Sequence, residues 1–218
     1  MIDRMLVLII ACAALNAPPA YAVEMGDPYD GKDVYQVCAS CHGAEGEGGG
    51  GGNYPRLAGM GFDYLTEQLG AFQRRERLNI PMFPFMEERE LSSQDILDVS
   101  TYISALKLSN RMPEMADDTD GYLLLLAAKK VLQIPREKGN LENGKEHYDE
   151  VCGLCHGEKG EGESDVPLLA GQHIKYLRHQ FDEMINENRY HPIQDDLIEP
   201  LSHDDINDIL AYLSTLDD

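Results

Sequence analysis

The sequence predicts an all-α protein made of two tandem copies of one small helical domain, and three observations predict it. The first is internal repetition. Tyr54-Pro55-Arg56-Leu57-Ala58-Gly59 returns as Val166-Pro167-Leu168-Leu169-Ala170-Gly171, 112 positions later. Tyr64-Leu65-x-x-Gln68-Leu69 returns at the same offset as Tyr176-Leu177-x-x-Gln180-Phe181, and Leu91-Ser92-x-x-Asp95-Ile96 returns 110 positions on as Leu201-Ser202-x-x-Asp205-Ile206. The second is periodicity: Ile96, Val99, Ile103 and Leu106, then Ile206, Ile209, Leu213 and Leu216, recur at helical spacing. The third is that neither copy contains a clear strand alternation.

The elements follow in chain order. Residues 5–15 form an apolar run behind Arg4, too short for a span of about 20 residues. Ala20-Tyr21-Ala22 then offers small residues where a signal peptidase reads, so residues 1–22 are expected to be an export signal cleaved after Ala22. A retained anchor and a lipid-modified Cys12 are the alternatives. Residues 24–110 form the first domain, with a short helix leading into Cys38, a middle helix over 64–77 and a final helix opened by the N-cap candidate Ser92. Residues 111–138 are a linker carrying an apolar helix at Tyr122–Leu132 before Pro135. The second domain, 139–218, repeats the plan: a short helix into Cys152, a middle helix over 176–187 and a last helix capped by Ser202. Beyond residue 22 the longest unbroken apolar stretch is Leu123–Ala128, so no membrane insertion is expected.

Two glycine patterns carry no nucleotide chemistry. Gly139-x-x-x-x-Gly144-Lys145 resembles a phosphate loop, but Glu146 stands where a magnesium-binding Ser or Thr is needed. Gly48–Gly52 belongs to no βαβ unit and reads as a flexible loop.

Charge narrows the partners. Thirty-nine acidic against 18 basic residues give a net charge of −21 over 218 residues. Nucleic acid is excluded as a default ligand, and a partner protein with a basic docking surface is favoured.

The cysteines carry the chemistry. Removal of Cys12 with the signal leaves Cys38-Ala39-Ser40-Cys41-His42 and Cys152-Gly153-Leu154-Cys155-His156. Cys-x-x-Cys-His is the attachment sequence for c-type haem: thiols at i and i+3 share a helix face and add to the two vinyl groups, and the next His ligates the iron. A single chance match has a probability of about 0.004 in a chain of this composition, and two are far rarer. A structural disulfide does not call for the His, a thioredoxin-like pair needs a βαβ setting, and zinc needs closer pairs than 114 residues apart. Two covalently bound haem c groups are therefore expected.

With both haem sites, the Pro-x-Leu-Ala-Gly segments, the Tyr-Leu-x-x-Gln helices and the Leu-Ser-x-x-Asp-Ile helices in hand, nearly the whole mature chain resembles the class I cytochromes c of the two-haem, tandem-domain type. That resemblance implies that Pro55 and Pro167 present their carbonyls to His42 and His156, and that a Met is the sixth iron ligand. Met82, in Ile80-Pro81-Met82-Phe83-Pro84, matches the ligand loop, with Met86 the alternative. Domain 2 departs from the family. Gln194 falls where Met82 would be, and His191 is the strong-field donor of that loop, against Gln194 or water, or Met184, as alternatives. Tyr64, Tyr176 and Arg56 are expected beside the haems. Arg56, or one of Arg74, Arg75 and Arg77, is a candidate to meet a propionate. The implied function is a periplasmic electron carrier between a donor enzyme and an oxidase or reductase, not an enzyme. Its rivals are a dedicated cytochrome subunit of an oxidoreductase acting on, for example, a sulfur compound, and ligand-binding or peroxidatic haem chemistry in domain 2. Association with further copies is left open.

Overall fold

The computed structural model describes residues 25–216 apart from 110, 130, 133, 193–197 and 199. The expected signal at 1–22 and the candidate ligand Gln194 lie outside the described residues. Among the described residues the structure is helical, with isolated bridges at Gly49–Tyr54 and Ser109–Val131 and no strand.

The first repeat opens with α1, Pro28–His42, where Pro28 sits at the first position and the Asp27 side chain accepts from the Tyr29 N–H. Helix α2 covers Phe62–Gln73 and α3 covers Ser93–Ala105. Ser92 and Asp95 cap α3 reciprocally: the Ser92 N–H and hydroxyl both donate to Asp95 Oδ2, at 2.8 and 2.6 Å, and Ser92 Oγ accepts from the Asp95 N–H. The second repeat has α5 (Leu141–His147), a π-helical stretch Tyr148–Cys152, and α6 (Gly153–His156) running on from it. Then come α7 (Ile174–Ile185) and α8 (His203–Leu213), the latter closed by the same Ser202–Asp205 box. The middle helices start two residues earlier than their periodicity indicates, and each breaks where the chain turns left-handed, at Arg75 (φ 64°) and Glu187 (φ 57°).

In each repeat the helix bearing the cysteines crosses the last helix at a glycine. A Cβ on Gly31 would overlap the Asp98 carbonyl, and one on Gly144 that of Asp208. Gly144, part of the broken phosphate-loop pattern, is thus the point of closest helix approach. Beside each crossing a buried tyrosine, Tyr35 or Tyr148, donates to the carbonyl of Gly43 or Gly157 (2.7 Å each) and packs on Tyr102 or Tyr212, with ring centres 5.4 Å apart. Tyr148, Ile174, Leu177, Ile206, Ile209, Leu210 and Leu213 form the second core. The first is Tyr35, Met60, Leu65, Val99 and Ile103, completed by Leu168 from the other repeat.

The linker forms α4, Gly121–Lys129, three residues shorter at its end than its apolar run indicates. Tyr122, Leu123, Leu124, Leu125 and Leu126 are all exposed. No helix among the described residues is long and apolar enough to cross a membrane.

Candidate functional site

Cys38 and Cys41 fall one turn apart on α1, with His42 at its end. Cys152, Cys155 and His156 repeat this across the π-helical stretch and α6. Among the described residues no cysteine is paired in a disulfide, and burial pushes the Cys38 and Cys152 thiols up to about 11. The His rings are set by the main chain. His42 Nδ1 donates to the Pro55 carbonyl at 3.0 Å and His156 Nδ1 to that of Pro167 at 2.8 Å. A carbonyl can only accept, so the proton sits on Nδ1 and the Nε2 lone pair is free for a metal. Burial lowers both imidazoles below the usual range, which favours that neutral form. Two cysteines one turn apart and a fixed neutral imidazole beside them form a donor set that fits a covalently held haem.

The candidate sixth ligands of the two repeats are placed differently. The candidate Met82 lies in a short 3₁₀ helix, Ile80–Phe85, and packs against the cluster Phe72, Met86, Leu91 and Ile96. The alternative, Met86, is 4% exposed and belongs to that same cluster. In domain 2 the His191 ring faces His156 with centres 6.4 Å apart and planes 29° apart. Two imidazoles in line on one metal, each bonded at about 2.0 Å, have ring centres about 6.3 Å apart. His191 Nδ1 is buried and has no hydrogen-bond partner. Burial is the main reason its pKa is lowered, followed by the charges of His156 and Arg189.

Several residues expected beside the haems make contacts across the boundary between the repeats. Arg56 is 3% exposed, its Nε donating to the Ala58 carbonyl (2.8 Å) and Nη1 to that of Ala170 (3.4 Å). Its main chain exchanges hydrogen bonds with the buried Gln172 side chain, at 2.9 and 3.0 Å. The basic trio is split. Arg74 pairs with Glu67 and Glu76 and Arg75 with Glu87, all at the surface, whereas Arg77 turns inward. Arg77 donates to Gln68, to Tyr176 (3.1 Å) and to Gln180 (3.0 Å), and Arg189 donates to Gln180 (2.6 Å) and Tyr64 (2.9 Å). Each repeat's tyrosine thus holds the other repeat's arginine. Arg189 lies 112 positions after Arg77, as Tyr176 does after Tyr64, so the crossed pair was present in the sequence as a repeat spacing but only the packing reveals it.

The glycine-rich stretch also differs from the flexible loop its composition indicates. Gly50–Gly52 makes a 3₁₀ turn, His173 Nε2 donates to the Glu47 carbonyl at 2.9 Å, and a side chain on Gly48, at φ 87°, would strike the His173 ring.

The family model for cytochrome c matches this chain twice, over residues 29–107 and 141–217. The chain is 30% identical over 206 residues to a cytochrome c4 of Stutzerimonas stutzeri, covering 88% of this chain and 90% of that one. It is 33% identical over 147 residues to a thiosulfate dehydrogenase electron acceptor of Thiomonas intermedia, covering 66% and 60%. The solved structure of reduced recombinant cytochrome c4 from Pseudomonas stutzeri superposes with a TM-score of 0.67 at 25% identity, over 88% of this chain and 99% of that one.

Proposed function

The chain belongs to the cytochrome c family, in the form with two covalently bound haem c groups on tandem domains, and from that premise we propose that it is a periplasmic single-electron carrier between a donor enzyme and a terminal oxidase or reductase. Cys38 and Cys41 hold one haem, and Cys152 and Cys155 the other. His42 and His156 are the proximal ligands, oriented by Pro55 and Pro167. Met82 is the sixth ligand in domain 1 and His191 in domain 2. A bound haem c supplies reversible one-electron chemistry at a potential set by its axial ligands and surroundings.

The observation that carries this reading is the His156–His191 pair, whose spacing suits two imidazoles on one metal. A filled sixth position suits electron exchange and leaves no site for a substrate. Imidazole is a stronger donor than thioether, so His191 sets domain 2 below domain 1 in potential. Domain 2 then receives electrons and domain 1 delivers them. Electron paramagnetic resonance of the oxidised protein tests the assignment: two low-spin haems are expected. One high-spin haem would favour ligand-binding chemistry in domain 2.

The likeness to a thiosulfate dehydrogenase electron acceptor favours a second reading, a dedicated cytochrome subunit for a sulfur-compound oxidoreductase. Stopped-flow reduction by such a dehydrogenase with thiosulfate separates the two. Reduction by that enzyme and no other donor supports the dedicated role.

A further inference from the structure

We propose that the sixth ligand of the second haem is positioned from the other domain: Tyr64 holds Arg189, and Arg189 holds the loop that presents His191. The inference rests on His191 being that ligand.

The loop after α7 begins firmly, with the N–H groups of Asn188 and Arg189 both donating to the Glu183 carbonyl, at 2.8 and 3.0 Å. Tyr190 is 80% exposed, and the His191 ring has no hydrogen bond at its buried Nδ1. Among the described residues the loop's side-chain link to the first domain is the Arg189 guanidinium, which spans Gln180 Oε1 and Tyr64 Oη. Among the described residues the acceptors facing this half-buried cation and Arg77 beside it are the neutral oxygens of Gln180, Tyr64 and Tyr176. Loss of the Tyr64 hydroxyl removes the guanidinium's acceptor in the first domain and leaves it Gln180 and Tyr176 of its own repeat, which loosens its hold across the boundary and with it the neighbouring backbone. His191 lies two positions after Arg189, with only Tyr190 between them. In domain 1 the corresponding distance is five residues, from Arg77 to Met82, and there the segment has its own 3₁₀ helix and the Arg75 guanidinium 3.9 Å from the Phe83 ring centre. The dependence is therefore strongest in domain 2. Tyr64 and Arg189 are positioning residues, and separation of the two domains frees the sixth site of the second haem.

Tyr64→Phe keeps the ring and deletes one hydrogen bond, and Arg189→Lys keeps the charge and deletes the fork. Both are measured in the full protein with both haems, confirmed by haem content. Carbon monoxide binding to the reduced protein should be about ten- to a hundredfold faster in either variant, the range that a hydrogen bond to a charged group spans. The oxidised form should gain a high-spin signal from haem 2 while haem 1 is unchanged. His191→Ala is the control that separates two failures. If it opens haem 2 but both positioning variants behave as wild type, the link through Tyr64 is overturned and the ligand stands. If it changes neither signal nor rate, the ligand assignment falls and the inference with it.

Discussion

A methyl group added at Gly31 or Gly144 would occupy the same space as a main-chain carbonyl of the helix it crosses. Neither backbone can yield cheaply, because both belong to capped helices. Gly144→Ala should cost about 1–3 kcal/mol by overpacking, lowering the melting temperature of the second domain by roughly 4–20 °C for a unit of this size. Thermal unfolding followed by circular dichroism checks this, and an unshifted melt would show that the crossing tolerates a side chain. His191→Ala should make haem 2 high-spin and leave haem 1 alone, and Met82→Ala should do the reverse. Legibility at this scale follows the range of the interaction. Cys38, Cys41, His42 and their counterparts act over one helical turn, so spacing reveals them. Gly144 acts on Asp208 and Arg77 on Tyr176, across 64 and 99 positions, and neither partnership leaves a local pattern. Arg77 therefore reads as one more charge on a basic helix end.

The helices show the same division. Ser92 and Ser202 announce their helices because a capping box is local. The ends of α2 and α7 are less legible, because they are fixed by left-handed residues, Arg75 and Glu187, whose side chains give no sign of it. The α8 cap has a measurable consequence with pH. Hydrogen bonds from Ser202, with smaller contributions from Asn143 and His147, hold the Asp205 carboxyl down at about 2. A carboxylate depressed in the folded state stabilises above its unfolded value near 4, and that contribution is lost as pH falls from there towards 2. The melting temperature of the wild type should therefore drop through this window, and Asp205→Asn should drop less steeply. Parallel pH profiles for the two would exclude the cap as the source. Ser202→Ala should cost about 1 kcal/mol at neutral pH.

At the scale of the molecule, the net charge of −21 sets how encounters occur. The second-order rate of electron exchange with a basic redox partner should fall as salt rises, because the Debye length shrinks below about 10 Å above 0.1 M. An ionic-strength series decides it, and a flat profile would exclude steering. The exposed apolar helix α4 interrupts this polar surface between the repeats. The boundary itself has a reciprocal form. Tyr64 meets Arg189 while Tyr176 meets Arg77, and the two contacts exchange under the repeat spacing. In two identical separate chains, the same bonds would run between Tyr64 and Arg77 of opposite subunits, which is the reciprocal pattern of a two-fold dimer. A single chain holding both halves keeps this reciprocal contact without requiring the halves to stay alike. One half could keep a thioether at Met82 while its twin moved to an imidazole at His191, a divergence that no homodimer encoded once could make.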